Sequence, residues 1–378
     1  MLTKIFFYDF TIFINLLGQN SIQMIKKIIL SSFIILAISS CKQSKEEVPS
    51  EKENTTFQFA KNISIDENEK TITIKSTGNT ITFDKEDLPI KTVMVETSAA
   101  VSFLDELGSI DLIKGVTDAD FIYNPKIAER VANNSILKVG NSNELFTEII
   151  LKNKPQLIIA SSNPILAKFH QQLEQNGINV LYLDEYKEQN PLGQVEYLKV
   201  FGKLFGKDHE AQKRIETVKN NYDSIKNIIQ TRAKGNVSTI VNTMYGDIWY
   251  APTKDLLQAK LIDDAKGNYI FNDKTGENSL SLTFEEVYTK GKNATYWINV
   301  TNVNSLAEMK AAYPNYTWFE AFKKGNVYAY NKRMNAKGSN DYFEQGILRP
   351  DIVLNDLGKI FYPNLFPSYE LYFYQQLK

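Results

Sequence analysis

From Lys207 to Thr231 the chain runs for twenty-five residues without a glycine or proline, and Ile215, Val218, Tyr222, Ile225 and Ile229 recur along it at three- and four-residue steps. That spacing predicts one long helix carrying an apolar stripe. The stripe is not a sustained heptad, so a coiled coil does not fit and a helix packed along two bodies does. Short β-branched runs alternate with helical stretches on its N-terminal side: Thr92–Val95 then Ser98–Leu107, Gly115–Thr117 then Pro125–Ala132, Glu144–Lys152 then Gln156–Ala160, and Pro164–Asn176 then Val180–Leu183. Gly108 and Gly177 fall where helices end before the next strand. Pro191–Phe205 reads as one further helical run. On the C-terminal side the alternation resumes with Val237–Tyr245, a helix near Asp255–Lys260, Thr283–Thr289, Thr295–Val300, Ser305–Ala312, Trp318–Lys323, Val327–Tyr330 and Arg349–Phe361. Strands and helices alternating at this spacing imply parallel sheets with helices on their faces. The expected fold class is therefore α/β: two lobes with parallel-type sheets flanked by helices, joined by one long helix. Ile63–Ile65, Thr71–Lys75 and Asn79–Phe83, separated by polar turns, add a short N-terminal β-hairpin region. The lobes are assigned to residues 57–206 and 234–378, with the interlobe helix at 207–233.

The N-terminus reads as an address rather than as fold. In Met24–Cys41, Lys26 and Lys27 precede an apolar run from Ile28 to Ile38, and small residues then lead to the chain's single cysteine. This order is that of an export signal, and the run is too short to span a bilayer comfortably. Ala37–Cys41 resembles the lipobox of bacterial lipoproteins, in which the cysteine is lipidated and everything before it is removed. Residues 1–41 are thus read as the signal region, with Met24 as the start of translation, and the charged stretch 42–56 as a flexible tether. Lys42, rather than aspartate, follows the cysteine, so the enteric rule for inner-membrane retention does not apply. The expected location is exported and lipid-anchored to a bacterial membrane through Cys41, on the periplasmic side or the cell surface.

Roughly 340 residues follow Cys41, enough for one large or two medium domains stabilised by core burial. With the only cysteine lipidated, no disulfide is expected. The formal net charge is −1 and no Lys/Arg-rich block occurs, which disfavours nucleic acid as a partner. No G-x-S-x-G elbow, Walker loop, G-x-G-x-x-G or H-E-x-x-H appears, so an enzyme is not expected. His170 and His209 are the only histidines, both on predicted helices far apart in sequence. Such a chain is poorly equipped to chelate a transition metal directly, so any metal should arrive already chelated.

Four segments carry a resemblance to a known family: Thr92–Ala100; Val139-Gly140 through Glu148 to the Lys154–Ile159 module; Gly246–Tyr250 with Leu261–Gly267; and Asn340–Glu344 through Arg349-Pro350-Asp351 to Tyr362-Pro363. In this order around one long helix, the chain resembles the substrate-binding lipoproteins of ABC importers for iron–siderophore, haem and cobalamin, the periplasmic binding proteins with a rigid interlobe helix. It departs from their pattern at Gln156, where aspartate is usual, and at Asn293, where proline is expected. The resemblance implies capture of a small-molecule metal chelate without a resident cofactor or catalysis, and delivery by a monomer to permease and ATPase subunits. It further implies that a rim glutamate on each lobe pairs with permease arginines. Glu148, seven residues before Pro155, and Glu285 match those positions, with Glu286 as the alternative for the second. The ligand should sit between the lobes at the carboxyl ends of the strands. Ser98, Tyr245, Trp249, Tyr250 and Arg333 are the candidates there, the aromatics to stack on a flat ligand and Arg333 to pair with carboxylates. Core packing is the competing reading of Trp249 and Tyr250, and Trp318 is read as core. A surface scaffold or adhesion lipoprotein, or a secreted hydrolase, are the other function classes.

Overall fold

The computed structural model describes residues 53–77, 79–301 and 303–378. The signal region, Cys41 and residues 42–52 of the expected tether lie outside them. The tether expected over 42–56 stops short of its C-terminal end, because Glu53–Thr55 (β1) is a strand paired antiparallel with Ile63–Glu67 (β2). Thr71–Ser76 (β3) and Asn79–Asp84 (β4) complete a four-stranded antiparallel sheet, where alternation predicts strands. Ile63, Ile65, Ile72, Ile74 and Phe83 are its buried side chains, and the Asn68 side chain closes the β2–β3 turn by accepting from the Lys70 and Thr71 amides.

The first lobe is built on Val93–Val95 (β5), Ile113–Thr117 (β6), Leu137–Asn141 (β7), Glu144–Leu145 (β8), Leu157–Ala160 (β9) and Asn179–Tyr182 (β10). They lie in the order β10-β9-β5-β6-β7-β8, parallel except for the β7–β8 hairpin. Every residue of β9 is buried, as a strand covered on both faces requires. Gln156, the departure noted in the sequence, explains itself here. Its side-chain oxygen accepts from the Lys91 and Thr92 amides at 2.7 and 3.2 Å, tying the approach to β9 to that of β5. Pro191–Phe205 is two helices rather than one, Pro191–Val195 and Leu198–Phe205. The interruption is at Glu196, whose carboxylate accepts from the Gln58, Phe59 and Ala60 amides at 2.7–2.9 Å. Glu188 does the same for Lys61 and Asn62. Two buried carboxylates therefore pin residues 58–62 against the lobe.

The long helix is Asp208–Arg232, with Ala211, Ile215, Val218, Tyr222 and Ile229 buried. Its N-terminal half belongs to the first lobe: Arg214 pairs with Glu106 at 2.9 Å, and a Cβ on Gly202 would sit 3.0 Å from the Ala211 methyl. Its C-terminal half belongs to the second. The Tyr222 hydroxyl donates to Asp264 at 2.7 Å and Lys226 pairs with the same carboxylate at 2.9 Å. A Cβ on Gly358, in the helix Pro350–Phe361, would lie 2.9 Å from Ile229. Burial pushes the Asp264 carboxyl up, but the bonds from Lys260, Tyr222 and Lys226 outweigh it and hold its pKa low.

The second lobe contains Val237–Val241 (β11), Met244–Tyr245 (β12), Ile248–Ala251 (β13), Gly267–Tyr269 (β14), Leu280–Leu282 (β15), Tyr296–Val300 (β16), Val327–Ala329 (β17) and Gln375–Gln376 (β18). The main sheet has the order β14-β11-β16-β17-β18, with only the last pair antiparallel. The expected single strand Val237–Tyr245 is instead β11 and β12, and β12 turns away into a separate antiparallel sheet, β12-β13-β15. Asn242, at φ +63°, makes the break; asparagine tolerates this left-handed conformation better than β-branched residues do.

Candidate functional site

A cavity of about 1140 Å³ opens between the lobes at the carboxyl ends of β10 and β11. The first lobe supplies residues 58–62 and the segment Tyr186–Pro191, which leaves β10. The second supplies Asn242, the helix Leu257–Asp264, the approach to β15, and Tyr342–Phe343. Each wall is fixed from behind. The pinning carboxylates of Glu188 and Glu196 set residues 58–62. The indole N–H groups of Trp249 and Trp297 donate to the carbonyls of Val241 and Asn242 at 2.8 and 2.7 Å, fixing the turn that presents Asn242. On the first wall Tyr186 is 56% exposed, and on the second Phe343 is 52% exposed, so both offer aromatic surface to whatever enters.

The five sequence candidates are not gathered in this cavity. Trp249 is fully buried and stacks on Trp297 at a 5.5 Å centroid distance, so its assignment to the ligand is corrected to core. The reverse holds for Trp318, read as core and found 48% exposed against the edges of Phe284 and Tyr288. Tyr245 and Tyr250 stand exposed on the β12–β13 hairpin, and half-buried Ser98 opens the helix Ser98–Glu106. None of the three lines the cavity. Arg333 is also outside the lining: it pairs with Asp341 at 2.5 Å and lies over the rings of Tyr372 and Tyr123, so its charge is already engaged. His170 is buried in the first lobe between Glu96, 2.9 Å from Nε2, and the Tyr182 hydroxyl, 3.0 Å from Nδ1. Segments 58–62 and 186–191 are not among the residues that the sequence pointed to. The second had a signal, since it directly follows the predicted strand Val180–Leu183.

The rim glutamates differ in how free they are. Glu148 and Glu285 each occupy the second position of a helix, Thr147–Asn153 and Phe284–Gly291, and both are exposed. Neither has an ion-pair partner among the described residues. Glu286 is committed: its carboxylate accepts from the Thr283 amide at 2.7 Å, and Thr283 caps the Glu286 amide in return. The geometry thus leaves Glu285, not Glu286, available to a partner.

Residues 93–334 match the family model for periplasmic binding proteins. The chain belongs to that family. An uncharacterized lipoprotein of Methanocaldococcus jannaschii is 27% identical over 299 residues, covering 76% of this chain and 69% of the relative. Among solved structures, a possible iron-binding periplasmic solute-binding protein from Staphylococcus epidermidis superposes with a TM-score of 0.56 at 20% identity, over 73% of this chain and all of that one. An ABC-type Fe3+-hydroxamate transport protein from Saccharomonospora viridis gives 0.56 at 17% identity, over 77% and 98%. At these identities the solved structures speak to the fold.

In this periplasmic binding protein the lobes also touch directly, through residues outside the cavity lining. The Tyr123 amide of the first lobe donates to Glu344 of the second at 2.9 Å, Ser339 donates to the Asp120 carbonyl at 3.1 Å, and Lys337 pairs with the Asp120 carboxylate at 3.1 Å. Glu344 is buried, and its second oxygen has no hydrogen-bond partner. Burial pushes its carboxyl up to about 8, helped by the neighbouring charge of Asp341. The folded chain therefore keeps a proton that the unfolded chain releases near pH ~4.5, and stability falls as pH rises between those two values. Glu344→Gln keeps the shape and an acceptor for the Tyr123 amide while removing the charge. The variant should match wild type at pH ~4.5 and exceed it by about 1–3 kcal/mol above pH ~8.5 in urea unfolding. A gap that does not change with pH would contradict the raised carboxyl.

Proposed function

We propose that this protein is the capture subunit of an ABC importer, tethered outside the cell membrane through acylated Cys41. It takes up a preformed metal chelate as a monomer and delivers it to permease and ATPase subunits. The observation that carries this reading is the interlobe cavity, large enough for a chelate and walled by both lobes, in a chain of the periplasmic binding protein family. No covalent chemistry and no resident cofactor are required, because the cargo brings its own metal. Tyr186 and Phe343 grip the chelate from opposite lobes, and Glu148 and Glu285 engage cationic side chains of the permease. The name of the archaeal relative supports the lipoprotein assignment, and the name of the Saccharomonospora structure supports a ferric chelate as cargo.

Calorimetric titration of the full chain with a ferric hydroxamate, haem and cobalamin tests the reading. At least one should bind with a Kd of about 1 µM or tighter, and the double variant Tyr186→Ala/Phe343→Ala should weaken it by about tenfold or more. Silence from the whole panel would remove the capture function.

A further inference from the structure

The charges lining the cavity are largely used up by the protein itself. The Glu188 carboxylate accepts from the Lys61 and Asn62 amides and from the Tyr197 hydroxyl. The Lys187 ammonium lies 2.8 Å from Asp184 and 3.0 Å from the Ser162 hydroxyl. What remains is Lys61 and Glu277, one charge of each sign, and no arginine among the lining residues. Apart from the Ser279 hydroxyl, the uncommitted polar groups are carboxamides. Gln58, Asn62 and Gln189 from the first lobe, with Gln258 and Asn278 from the second, make no side-chain hydrogen bond among the described residues. Each offers two donors and an acceptor to an incoming molecule.

We infer that the cargo is an uncharged chelate whose periphery carries amide or hydroxamate groups, rather than one bearing carboxylates or catecholates. The inference rests on the capture reading above. Five free carboxamides on two facing walls match a rim of amide carbonyls and N–H groups. An anionic chelate entering the same space would exchange its hydration for neutral dipoles and one lysine, leaving most of its charge uncompensated. The cavity balances hydrogen bonds, not charge.

Four probes separate the possibilities when titrated into the full chain: cyanocobalamin, a carboxamide-rimmed macrocycle; ferrichrome, a neutral ferric trihydroxamate; haemin; and the trianionic ferric enterobactin. One of the first two should bind about 100-fold or more tighter than either of the last two, and which one it is identifies the source of the amide chemistry. Gln189→Leu/Asn278→Leu, one change from each lobe, should weaken that ligand by about 10- to 100-fold. The charged near-isosteres Gln189→Glu/Asn278→Asp should weaken it as well, guarding against a folding defect specific to leucine. Haemin or ferric enterobactin binding as tightly as the neutral probes overturns this inference and leaves capture standing, as does unchanged affinity in both double variants. Silence from all four overturns both.

Discussion

Glu148→Arg/Glu285→Arg is expected to abolish import of the cargo, by about 100-fold or more, while leaving its affinity for the purified protein within about twofold. Both glutamates are exposed and lie outside the cavity lining, so neither wall of the binding space changes. Each stands in the first turn of its helix, where a cation opposes the helix dipole, so a stability loss of about 0.3–1 kcal/mol per site is also expected. The large effect follows from the proposed docking on the permease. A carboxylate facing a permease arginine fixes register, and an arginine in its place sets like charges against each other at several kcal/mol. Uptake by whole cells and ligand affinity of the purified variant must be measured side by side. Loss of both together would place these residues in ligand binding instead, and normal uptake would remove them from docking. Glu286→Ala serves as the contrast, because it breaks the cap with Thr283 and should cost about 0.5–2 kcal/mol of stability without blocking import.

Glu196→Ala should be the most damaging single change to the fold. The Glu196 carboxylate gathers three successive backbone amides, Gln58 to Ala60, and the Lys199 ammonium at 3.0 Å. Burial pushes its carboxyl up, but those amides and Lys199 outweigh the effect and hold it ionised below the usual carboxylate range. Alanine would strand the buried Ala60 amide and free the strap that forms one cavity wall, at about 3–5 kcal/mol, or a melting temperature about 5–10 °C lower. The sign with pH is opposite to that of Glu344. The stabilisation from a depressed carboxyl is present above pH ~4.5 and fades as acidification protonates it, so wild type and variant should converge in acid. Glu216→Ala, on the exposed face of the long helix, should shift stability by no more than about 0.5 kcal/mol. A Glu196 variant as mild as that control would refute the pinning.

The long helix was legible because its evidence is local: an unbroken run and an apolar stripe written at its own period. Pro125–Ala132 was legible for the same reason, opening on a proline that has no amide to satisfy and following Asn124, whose side chain accepts from the Lys126 and Ile127 amides. The misses came from contacts between distant parts of the chain. Glu196, at the break in a helical run, serves amides more than 130 residues away, and no window of sequence around it shows that role. Trp249 and Trp318 changed places for a similar cause. Which indole is covered depends on whether Trp297 and Tyr316 fold over it, not on its own neighbours in sequence. The cavity wall at 58–62 was illegible twice over, since it lies before the strand–helix alternation begins and is held by residues that follow it. Two-lobed architecture could be read from periodicity; the identity of the grips could not.

Gly202 and Gly358 let one rod bear against both jaws, tied to the first by the Arg214–Glu106 ion pair and to the second by the Tyr222–Asp264 hydrogen bond. Under the proposed capture role, a cavity framed in this way would load with little reshaping. A scaffold stiff enough to load cheaply has no spring of its own with which to expel what it holds. Under the proposed capture role, unloading would therefore be driven by leverage from the permease at two separated points, one on each jaw.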